Sequence, residues 1–379
     1  MRKYIIPFVF FVSNFLSIVN ASPIFIPAPP EISASSYILM DAYTGDVLAQ
    51  KNSDQELPPA SLTKLMTAYI AEYEMDRGDI SNNDMVQISE KAWRMKGSRM
   101  FIREGTRVSM NDLMQGIIVQ SGNDASVAVA EHIAGSESAF ADLMNQHAKL
   151  LGLRHTHFVN STGYPAEGHV SSAHDIALIA QATITQFPEN YTIYSEKYFT
   201  YNKIRQPNRN RLLWRDKTVD GLKTGHTDAA GFCLAASALR NSTRLIAVVF
   251  GAKTDESRAE GTQKLLDYGF RYFETRKLYS KGQTVSTIRI WGGTQDTLKV
   301  GVIKDVYMTL PRQSEDTLPA MISIHPKIDF PIKIGDVLGT ITITTAENVS
   351  LKLDLLALEA VQKGSLLKRA IDGVKHFFN

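Results

Sequence analysis

Apolar residues repeat with two different periods along the first three quarters of the chain. Steps of three and four residues predict helices, which are expected over 61–75, 111–133, 136–151, 173–187 and 255–272. Strand-like apolar runs cover 36–50, 222–238 and 243–252. This mixture predicts an α/β or α+β domain over residues 31–275.

The pattern changes after Lys277 to short alternating runs separated by glycine and proline, as in 284–291 and 337–343. Such runs predict a small all-β domain over 276–361. The final segment, 362–379, has the period of an amphipathic helix, with apolar residues at Leu366, Leu367, Ala370, Ile371, Val374, Phe377 and Phe378.

Two interpretations of the final helix remain open. Residues 361–379 have a local excess of three positive charges, which suits the surface of a membrane that contains anionic lipid. A helix packed on its own domain would show the same period. The segment is too polar to span a bilayer, so the favoured prediction is a peripheral anchor on the membrane surface.

The amino terminus has the pattern of a secretory signal peptide over residues 1–21. Arg2 and Lys3 precede an apolar run, and Val19-Asn20-Ala21 provides small residues for cleavage. We therefore expect an exported protein. Loss of Arg2 and Lys3 lowers the formal charge from +2 to zero, which argues against a nucleic-acid partner.

Composition excludes some further chemistry. Cys233 is the only cysteine, so no intramolecular disulfide can form, and its apolar neighbours predict a buried core residue. A zinc site is not favoured, since no carboxylate or CxxC pattern accompanies the clustered histidines, which are His155, His157, His169 and His174.

The first candidate for chemistry is Ser61, which opens an apolar helical stretch after two prolines. Lys64 lies three residues later, on the same helical face, so its amine can reach the serine hydroxyl. A lysine can activate a serine only if burial or nearby cations keep it neutral. The pattern is weak alone, because Ser365 and Lys368 repeat it and Ser61 could be a simple helix cap.

Two more segments follow in order. Ser121-Gly122-Asn123 comes after the apolar run 117–119 and precedes a helical stretch. Lys223-Thr224-Gly225 opens an apolar strand, where the glycine would let a substrate backbone lie close.

These three elements together resemble the penicillin-binding and serine β-lactamase superfamily, whose signature is Ser-x-x-Lys, Ser-x-Asn and Lys-Thr-Gly. Within it the chain is most similar to the low-molecular-mass D-alanyl-D-alanine carboxypeptidases of the penicillin-binding protein 5 and 6 type. Segments 202–214 and 251–255, the trailing β domain and the amphipathic tail all support this resemblance. It implies the serine β-lactamase/DD-peptidase fold and a substrate that is the pentapeptide stem of peptidoglycan.

The resemblance also implies roles for individual residues. Ser61 would be the acyl-forming nucleophile and Lys64 its base, with main-chain N–H groups of Ser61 and His226 as the oxyanion hole. Ser121 and Lys223 would relay a proton to the leaving D-alanine. The substrate would be held by Asn123 at its amide and by Thr224 and Arg258 at its carboxylate, with Gly225 in the same strand. β-Lactam antibiotics would acylate the same serine, and the scheme needs no cofactor or metal.

Asp175 and Arg209 match family positions that pair electrostatically beside the cleft, although Asp175 could equally be a first-turn helix carboxylate. Segment 92–101 is shorter than the cleft-side loop of the best-known members, which bears on specificity and deacylation.

Two alternative functions remain open. A β-lactamase would need a deacylating glutamate, for which Glu167 and Glu189 are the candidates. A catalytically silent peptidoglycan-binding scaffold would keep the fold alone. The sequence also leaves open whether the protein forms a homodimer.

Overall fold

The computed structural model describes residues 25–314, 318–345 and 350–377, with residues 375–377 described by their backbone only. The predicted signal peptide at 1–21 and the last two residues of the predicted terminal helix lie outside the described residues.

The first part of the chain contains nine strands and eight α-helices among the described residues. The strands are β1 (Ser36–Asp41), β2 (Val47–Lys51), β3 (Met85–Gln87), β4 (Arg107–Ser109), β5 (Tyr198–Tyr201), β6 (Ile204–Pro207), β7 (Val219–Thr227), β8 (Gly231–Arg240) and β9 (Thr243–Ala252). The helices are α1 (Lys64–Asp76), α2 (Glu90–Trp93), α3 (Met110–Gln115), α4 (Asn123–Ala134), α5 (Glu137–Leu150), α6 (Ala173–Gln186), α7 (Leu212–Arg215) and α8 (Asp255–Tyr272).

A five-stranded antiparallel sheet in the order β2-β1-β9-β8-β7 forms the centre of this part. Both of its faces are buried, as β9 shows: Ile246 and Val248 belong to the core under α1, α4 and α6, and Leu245 and Val249 belong to the core under α8. Because strand side chains alternate between faces, a sheet covered on both sides has continuously apolar strands. The order leaves β7 at the edge, where the candidate lysine and threonine are.

Three predicted elements are divided in the structure. The predicted strand 36–50 is the hairpin of β1 and β2, and the apolar run 222–238 is the hairpin of β7 and β8. The predicted helix 111–133 is interrupted, since α3 continues into a π-helical turn, Gly116–Gln120, and then breaks at Ser121. The backbone of Ser121 is left-handed, with φ of 67°, so it cannot continue a right-handed helix.

The second part of the chain is β-rich, as predicted. It comprises β10 (Phe273–Tyr279), β11 (Thr284–Arg289), β12 (Thr297–Gly301), β13 (Val306–Pro311), β14 (Ala320–Ile324), β15 (Val337–Thr344) and β16 (Ser350–Ala357). Strands β11, β12, β16, β15 and β14 form one sheet, and β10 pairs with β13. The predicted boundary at 275/276 falls inside β10. The predicted fold class, a mixed α/β peptidase-type domain followed by a β-rich domain, is confirmed.

The turn between β1 and β2 joins the two parts. The Tyr43 ring stacks on Tyr307 with centroids 4.6 Å apart, and the hydroxyl groups of Thr44 and Thr309 are 2.6 Å apart. The buried carboxylate of Asp41 accepts hydrogen bonds from the turn and from the Thr275 hydroxyl.

The last helix, α9 (Leu366–Phe377), contacts the β-rich part through polar groups. The Gly292 N–H donates to the buried Asp372 carboxylate at 3.0 Å, and Lys368 pairs with Asp296. Its apolar side chains point the other way: Leu366 is 81% exposed, Leu367 73% and Val374 61%. Among the described residues, no helix is long and apolar enough to cross a bilayer.

Candidate active site

The candidate nucleophile lies in a tight turn that precedes α1. Residues Ala60–Thr63 form one turn of 3-10 helix, and Ala60 has a left-handed backbone with φ of 47°. Two glycines make room for this turn. A Cβ at Gly163 would lie 1.8 Å from the Ala60 carbonyl oxygen, and one at Gly225 would lie 3.2 Å from the Ser61 nitrogen. Strand β7 and the 159–169 loop therefore pack directly on the nucleophile turn.

The Gly225 finding refines the sequence interpretation. Glycine was expected there because a substrate backbone would lie close, yet the close neighbour is the chain itself, namely the Pro59 oxygen and the Ser61 nitrogen. The consequence for chemistry is similar, since this contact sets the position of the Ser61 N–H relative to β7.

Lys64 is fully buried, and its amine has three neighbours. Its Nζ lies 3.1 Å from Ser61 Oγ, 2.7 Å from Asn123 Oδ1 and 2.6 Å from the main-chain oxygen of Thr162. Asn123 Oδ1 and the Thr162 carbonyl can only accept hydrogen bonds. A neutral amine has two hydrogens and one lone pair, so it satisfies both acceptors and keeps the lone pair for the Ser61 hydroxyl. The surroundings thus match the base form of lysine.

Burial, with a smaller contribution from the Arg209 cation, lowers the pKa of Lys64 from 10.5 to about 7, and the charges of Asp124 and Glu137 oppose the shift. A lysine in bulk water would be almost entirely protonated at neutral pH. At a pKa near 7, a large share of the molecules has the uncharged amine that proton abstraction from serine requires.

The second segment is held in place by the loop that precedes it. Asn123, the first residue of α4, donates its main-chain N–H to the Ser98 oxygen at 2.7 Å and its Nδ2 to the Lys96 oxygen at 2.6 Å. The buried Asp124 carboxylate accepts from the N–H groups of Met100 and Phe101 at 3.0 and 2.8 Å. These bonds fix loop 96–101 against α4, and the loop forms one wall of the cleft.

The third segment lies on β7 at the edge of the sheet. Lys223 is buried, and burial together with the cations of Lys64, Arg209 and Arg258 lowers its pKa. Its Nζ donates to the Thr224 oxygen at 3.2 Å. The buried Ser121 hydroxyl has no hydrogen-bond partner among the described residues. The direct Ser121–Lys223 contact that a preformed proton relay would use is therefore not present.

Two pockets meet at Ser61. The arginine pocket, of about 460 Å³, is lined by Ser61, Ser98, Ser121, Asn208, Arg209, Arg211, Thr224, Gly225, His226, Phe232, Asp255 and Arg258. The tyrosine pocket, also about 460 Å³, is lined by Ser61, Gly97, Ser98, Asn123, Thr162, Gly163, Tyr164, Pro165, His226, Thr227, Asp228 and Ala229. All three motifs predicted from the sequence thus converge on one cleft.

The arginines of the first pocket are held differently. Arg258 pairs with Asp255 and donates to the Gly225 oxygen at 3.0 Å, which orients its guanidinium under β7. Arg209 forms no ion pair with a described residue. It sits between two buried asparagines, of which Asn210 donates to the Gly221 oxygen at 2.8 Å. The pocket therefore has a net positive potential next to Ser61.

The predicted pairing of Asp175 with Arg209 is wrong. Asp175 lies in the first turn of α6, where its carboxylate accepts from the His155 N–H and the Thr156 hydroxyl, each at 2.7 Å. It lines neither pocket that contains Ser61. The first-turn alternative explains the position, since a carboxylate there is stabilised by the N-terminal N–H groups of the helix.

Three contributors were missed by the sequence analysis. The Thr162 carbonyl has no side-chain signal because any residue supplies a main-chain oxygen. Asp124 directly follows the second motif, but its role depends on a loop 22 to 24 residues away. His169 contacts Thr63 of the nucleophile turn, with Nε2 2.8 Å from Thr63 Oγ1, and accepts the Val159 N–H at Nδ1. Its neighbours come from two segments that only the fold brings together.

The predicted core cysteine is confirmed. Cys233 is buried on β8, and burial raises the pKa of its thiol to about 11.

Comparison with known proteins places the chain in a family of peptidases. The D-alanyl-D-alanine carboxypeptidase family model matches residues 24–254, and the model of the penicillin-binding protein 5 C-terminal domain matches residues 273–363. The D-alanyl-D-alanine carboxypeptidase DacA of Escherichia coli K12 is 42% identical over 362 residues, which cover 93% of this chain and 90% of that protein.

Solved structures show the same similarity. Penicillin-binding protein 5 from Haemophilus influenzae superimposes with a TM-score of 0.82 at 40% identity, covering 89% of this chain and all of that one. Penicillin-binding protein D2 from Listeria monocytogenes, in an ampicillin-bound form, superimposes with a TM-score of 0.59 at 31% identity over 64% of this chain.

Proposed function

The chain belongs to the D-alanyl-D-alanine carboxypeptidase family, and on that premise we propose that it removes the terminal D-alanine from peptidoglycan pentapeptide stems through an acyl-enzyme on Ser61. One observation supports this most directly. The Lys64 amine is buried, has a pKa near 7, and has two acceptors placed so that its lone pair is left for the serine hydroxyl.

Acylation follows from that arrangement. Lys64 accepts the Ser61 proton as the serine oxygen attacks the carbonyl carbon between the two D-alanines. The oxygen of that carbonyl becomes negatively charged, and the N–H groups of Ser61 and His226 are the donors that would stabilise it. The close packing of Gly225 on Ser61 keeps these two donors at a fixed separation.

The arginine pocket suits the leaving D-alanine. Its carboxylate would bind Thr224 and Arg258 in the positive potential that Arg209 increases. Ser121 lines the same pocket with an unpartnered hydroxyl, so it can contact the departing nitrogen once substrate is bound and deliver a proton from Lys223. Water then attacks the ester and releases the shortened stem.

Penicillin should acylate the same serine, and this provides the test. We expect mass spectrometry to find a penicilloyl adduct on Ser61, and we expect free D-alanine to be released from a pentapeptide. Both should disappear in Ser61→Ala. Ser365→Ala is the matched control, because Ser365 and Lys368 repeat the Ser-x-x-Lys spacing at the start of α9 and line neither pocket that contains Ser61. An adduct on another residue would contradict the proposal.

The structure gives little support to the two alternatives. Glu189 lines a separate pocket beside α1, and Glu167 lines a pocket next to the cleft that does not include Ser61. Neither is placed like a deacylating base, so we expect the penicilloyl ester to persist for minutes rather than turn over. A catalytically silent scaffold would bind peptidoglycan without needing a buried Lys64 amine beside the Ser61 hydroxyl.

We extend the proposal to location. Signal cleavage after residue 21 would release a periplasmic protein divided into a catalytic part (31–275), a β-rich part (276–361) and a terminal segment (362–379) that binds the inner-membrane surface. The outward-facing apolar side chains of α9 support the membrane interpretation over self-docking, because the contacts of α9 with the β-rich part are polar. Homodimer formation stays a prediction that sedimentation would test.

A further inference from the structure

A buried hydrogen-bond network lies behind the Thr162 carbonyl that accepts from the Lys64 amine. Ser161, the preceding residue, is fully buried. Its main-chain N–H and its hydroxyl donate to Oε1 of Glu137 at 3.2 and 2.8 Å, and its carbonyl accepts from the Thr67 hydroxyl at 2.6 Å. Because Ser161 and Thr162 are consecutive, these bonds also restrict where the Thr162 carbonyl can lie.

Glu137 connects this network to the surface. It is the first residue of α5 and is 8% exposed, and its second carboxylate oxygen lies 2.8 Å from Lys91 Nζ. The Lys91 side chain is 54% exposed, so the network ends in solvent. Burial raises the pKa of the Glu137 carboxyl, but its hydrogen bonds with Lys91 and Ser161 outweigh burial and hold that pKa below its usual value. Glu137 therefore carries a negative charge at neutral pH.

The charges that act on the catalytic amine come from several elements. Arg209 favours the neutral amine, and Lys223 and His169 are titratable groups that interact with it. Asp124 and Glu137 favour the protonated amine. Asp124 accepts from main-chain N–H groups of the cleft loop, whereas Glu137 pairs with a cation that reaches solvent. The charge at Glu137 can thus be changed without altering the cleft.

We propose that Glu137 is a positioning residue for Lys64, and that Lys91 regulates its influence by neutralising its charge from the surface. This inference rests on the proposed function and concerns the regulation of the same site. The two parts of the role are separable. As an acceptor, Glu137 holds the segment that presents the Thr162 carbonyl, and as an anion it stabilises the protonated form of Lys64.

One pH profile measures both parts, namely the second-order rate of acylation by penicillin between pH 5 and 9. Glu137→Gln keeps an acceptor for Ser161 but removes the charge. The midpoint of the profile should therefore move down by about half a pH unit, while the plateau rate stays within about threefold of wild type. Glu137→Ala removes the acceptor as well, and its plateau rate should fall about 10- to 100-fold.

Lys91→Gln tests the regulation. It leaves the Glu137 charge uncompensated, while the hydrogen bonds from Ser161 keep the carboxylate ionised, so the midpoint should move up by about half a pH unit. In the double variant with Glu137→Gln, the midpoint should equal that of Glu137→Gln alone, because Lys91 acts through the carboxylate. Asp142→Asn is the control, since it removes an exposed carboxylate on the same helix and should leave the profile unchanged.

The inference fails if Glu137→Gln and Lys91→Gln move the midpoint in the same direction or not at all, or if Lys91→Gln still shifts it in the double variant. It also fails if Glu137→Ala folds, as judged by thermal unfolding, and is acylated at the wild-type plateau rate. Glu137→Gln and Lys91→Gln decide the matter where Glu137→Ala does not fold. Failure of the proposed function looks different, since penicillin would then not acylate Ser61 of the wild-type protein at any pH.

Discussion

The main-chain oxygen of Thr162 accepts a hydrogen bond from the Lys64 amine at 2.6 Å, and the two residues are 98 positions apart in the chain. This contact links the 159–169 loop to the base of the reaction. Together with Asn123 it occupies the two hydrogens of the neutral amine, so the protonation state of Lys64 should control the acylation rate.

The first prediction concerns pH. The pKa of Lys64 is lowered to about 7 by burial and by Arg209, and only the uncharged amine can accept the Ser61 proton. The second-order rate of acylation by penicillin should therefore rise about tenfold per pH unit below 7 and level off above it. Stopped-flow measurement between pH 5 and 9 checks this.

Arg209→Gln tests the cause of that profile. Loss of the nearby cation should move the midpoint of the profile upward, because Lys64 would then hold its proton more tightly. Arg209→Lys keeps the charge and should keep the midpoint. A profile that is unchanged by Arg209→Gln would show that burial alone sets the pKa of Lys64.

A second prediction concerns Gly225. A Cβ in Gly225→Ala would lie 3.0 Å from the Pro59 oxygen and 3.2 Å from the Ser61 nitrogen, so β7 or the nucleophile turn must shift. A shift of a few tenths of an ångström misplaces the oxyanion donors, and kcat/KM should fall about 10- to 100-fold.

The thermal unfolding temperature of Gly225→Ala should stay close to that of the wild type, although its kcat/KM falls. Gly373→Ala is the control, since a Cβ at that position in α9 meets nothing within 4 Å. Full activity in Gly225→Ala would show that the close packing does not position the catalytic groups.

The third prediction concerns stability in acid. Burial, with smaller contributions from His157 and Lys64, lowers the pKa of His169 from 6.5 to about 4. The unfolded chain then binds a proton near pH 6.5 that the folded protein binds only near pH 4. The free energy of unfolding therefore has its full value above pH 6.5 and decreases as the pH falls towards 4. Between pH 7 and pH 5 the decrease due to His169 is about 2 kcal/mol.

Urea unfolding at these two pH values checks the sign and size. The glutamine in His169→Gln can still donate to Thr63 and accept from Val159, so this variant should fold. Its free energy of unfolding should decrease between pH 7 and pH 5 by about 2 kcal/mol less than that of the wild type. His325→Gln, at an exposed position, should retain the wild-type difference. If His169→Gln loses as much stability between pH 7 and pH 5 as the wild type does, His169 is not the group responsible.

The fourth prediction concerns the terminal helix. Leu367 and Ile371 are 73% and 47% exposed on α9, so glutamate at both positions should not disturb the fold. It should weaken binding of the full chain to vesicles that contain anionic lipid by at least about tenfold, because each leucine or isoleucine buried in lipid contributes roughly 2 kcal/mol.

Vesicle flotation compares this double variant with Met321→Glu, which changes a side chain 74% exposed on β14. Met321→Glu should bind like wild type. If the two variants bind equally well, α9 is not the membrane contact.

The sequence by itself determined those features that depend on neighbouring positions. Ser61 and Lys64 are three residues apart, and helical geometry alone brings the amine to the hydroxyl. The change from a mixed pattern to alternating runs after Lys277 is equally local, so the two-part architecture followed from it. The hairpins inside 36–50 and 222–238 were missed although turn residues mark them, namely Gly45-Asp46 in the first segment and Asp228 and Gly231 in the second. The apolar residues on both sides of each turn were read as one continuous strand.

Only the tertiary structure decided how distant segments meet. The Thr162 carbonyl, the His169 ring and the glycine packing at 163 and 225 contact the nucleophile turn because the sheet edge and the 159–169 loop converge there. The same applies to Asp175, whose partners turned out to be residues 154–156 rather than Arg209. Local patterns identify candidate catalytic side chains. Burial and the charges of remote segments set their pKa values and positions, and these decide which candidates can react.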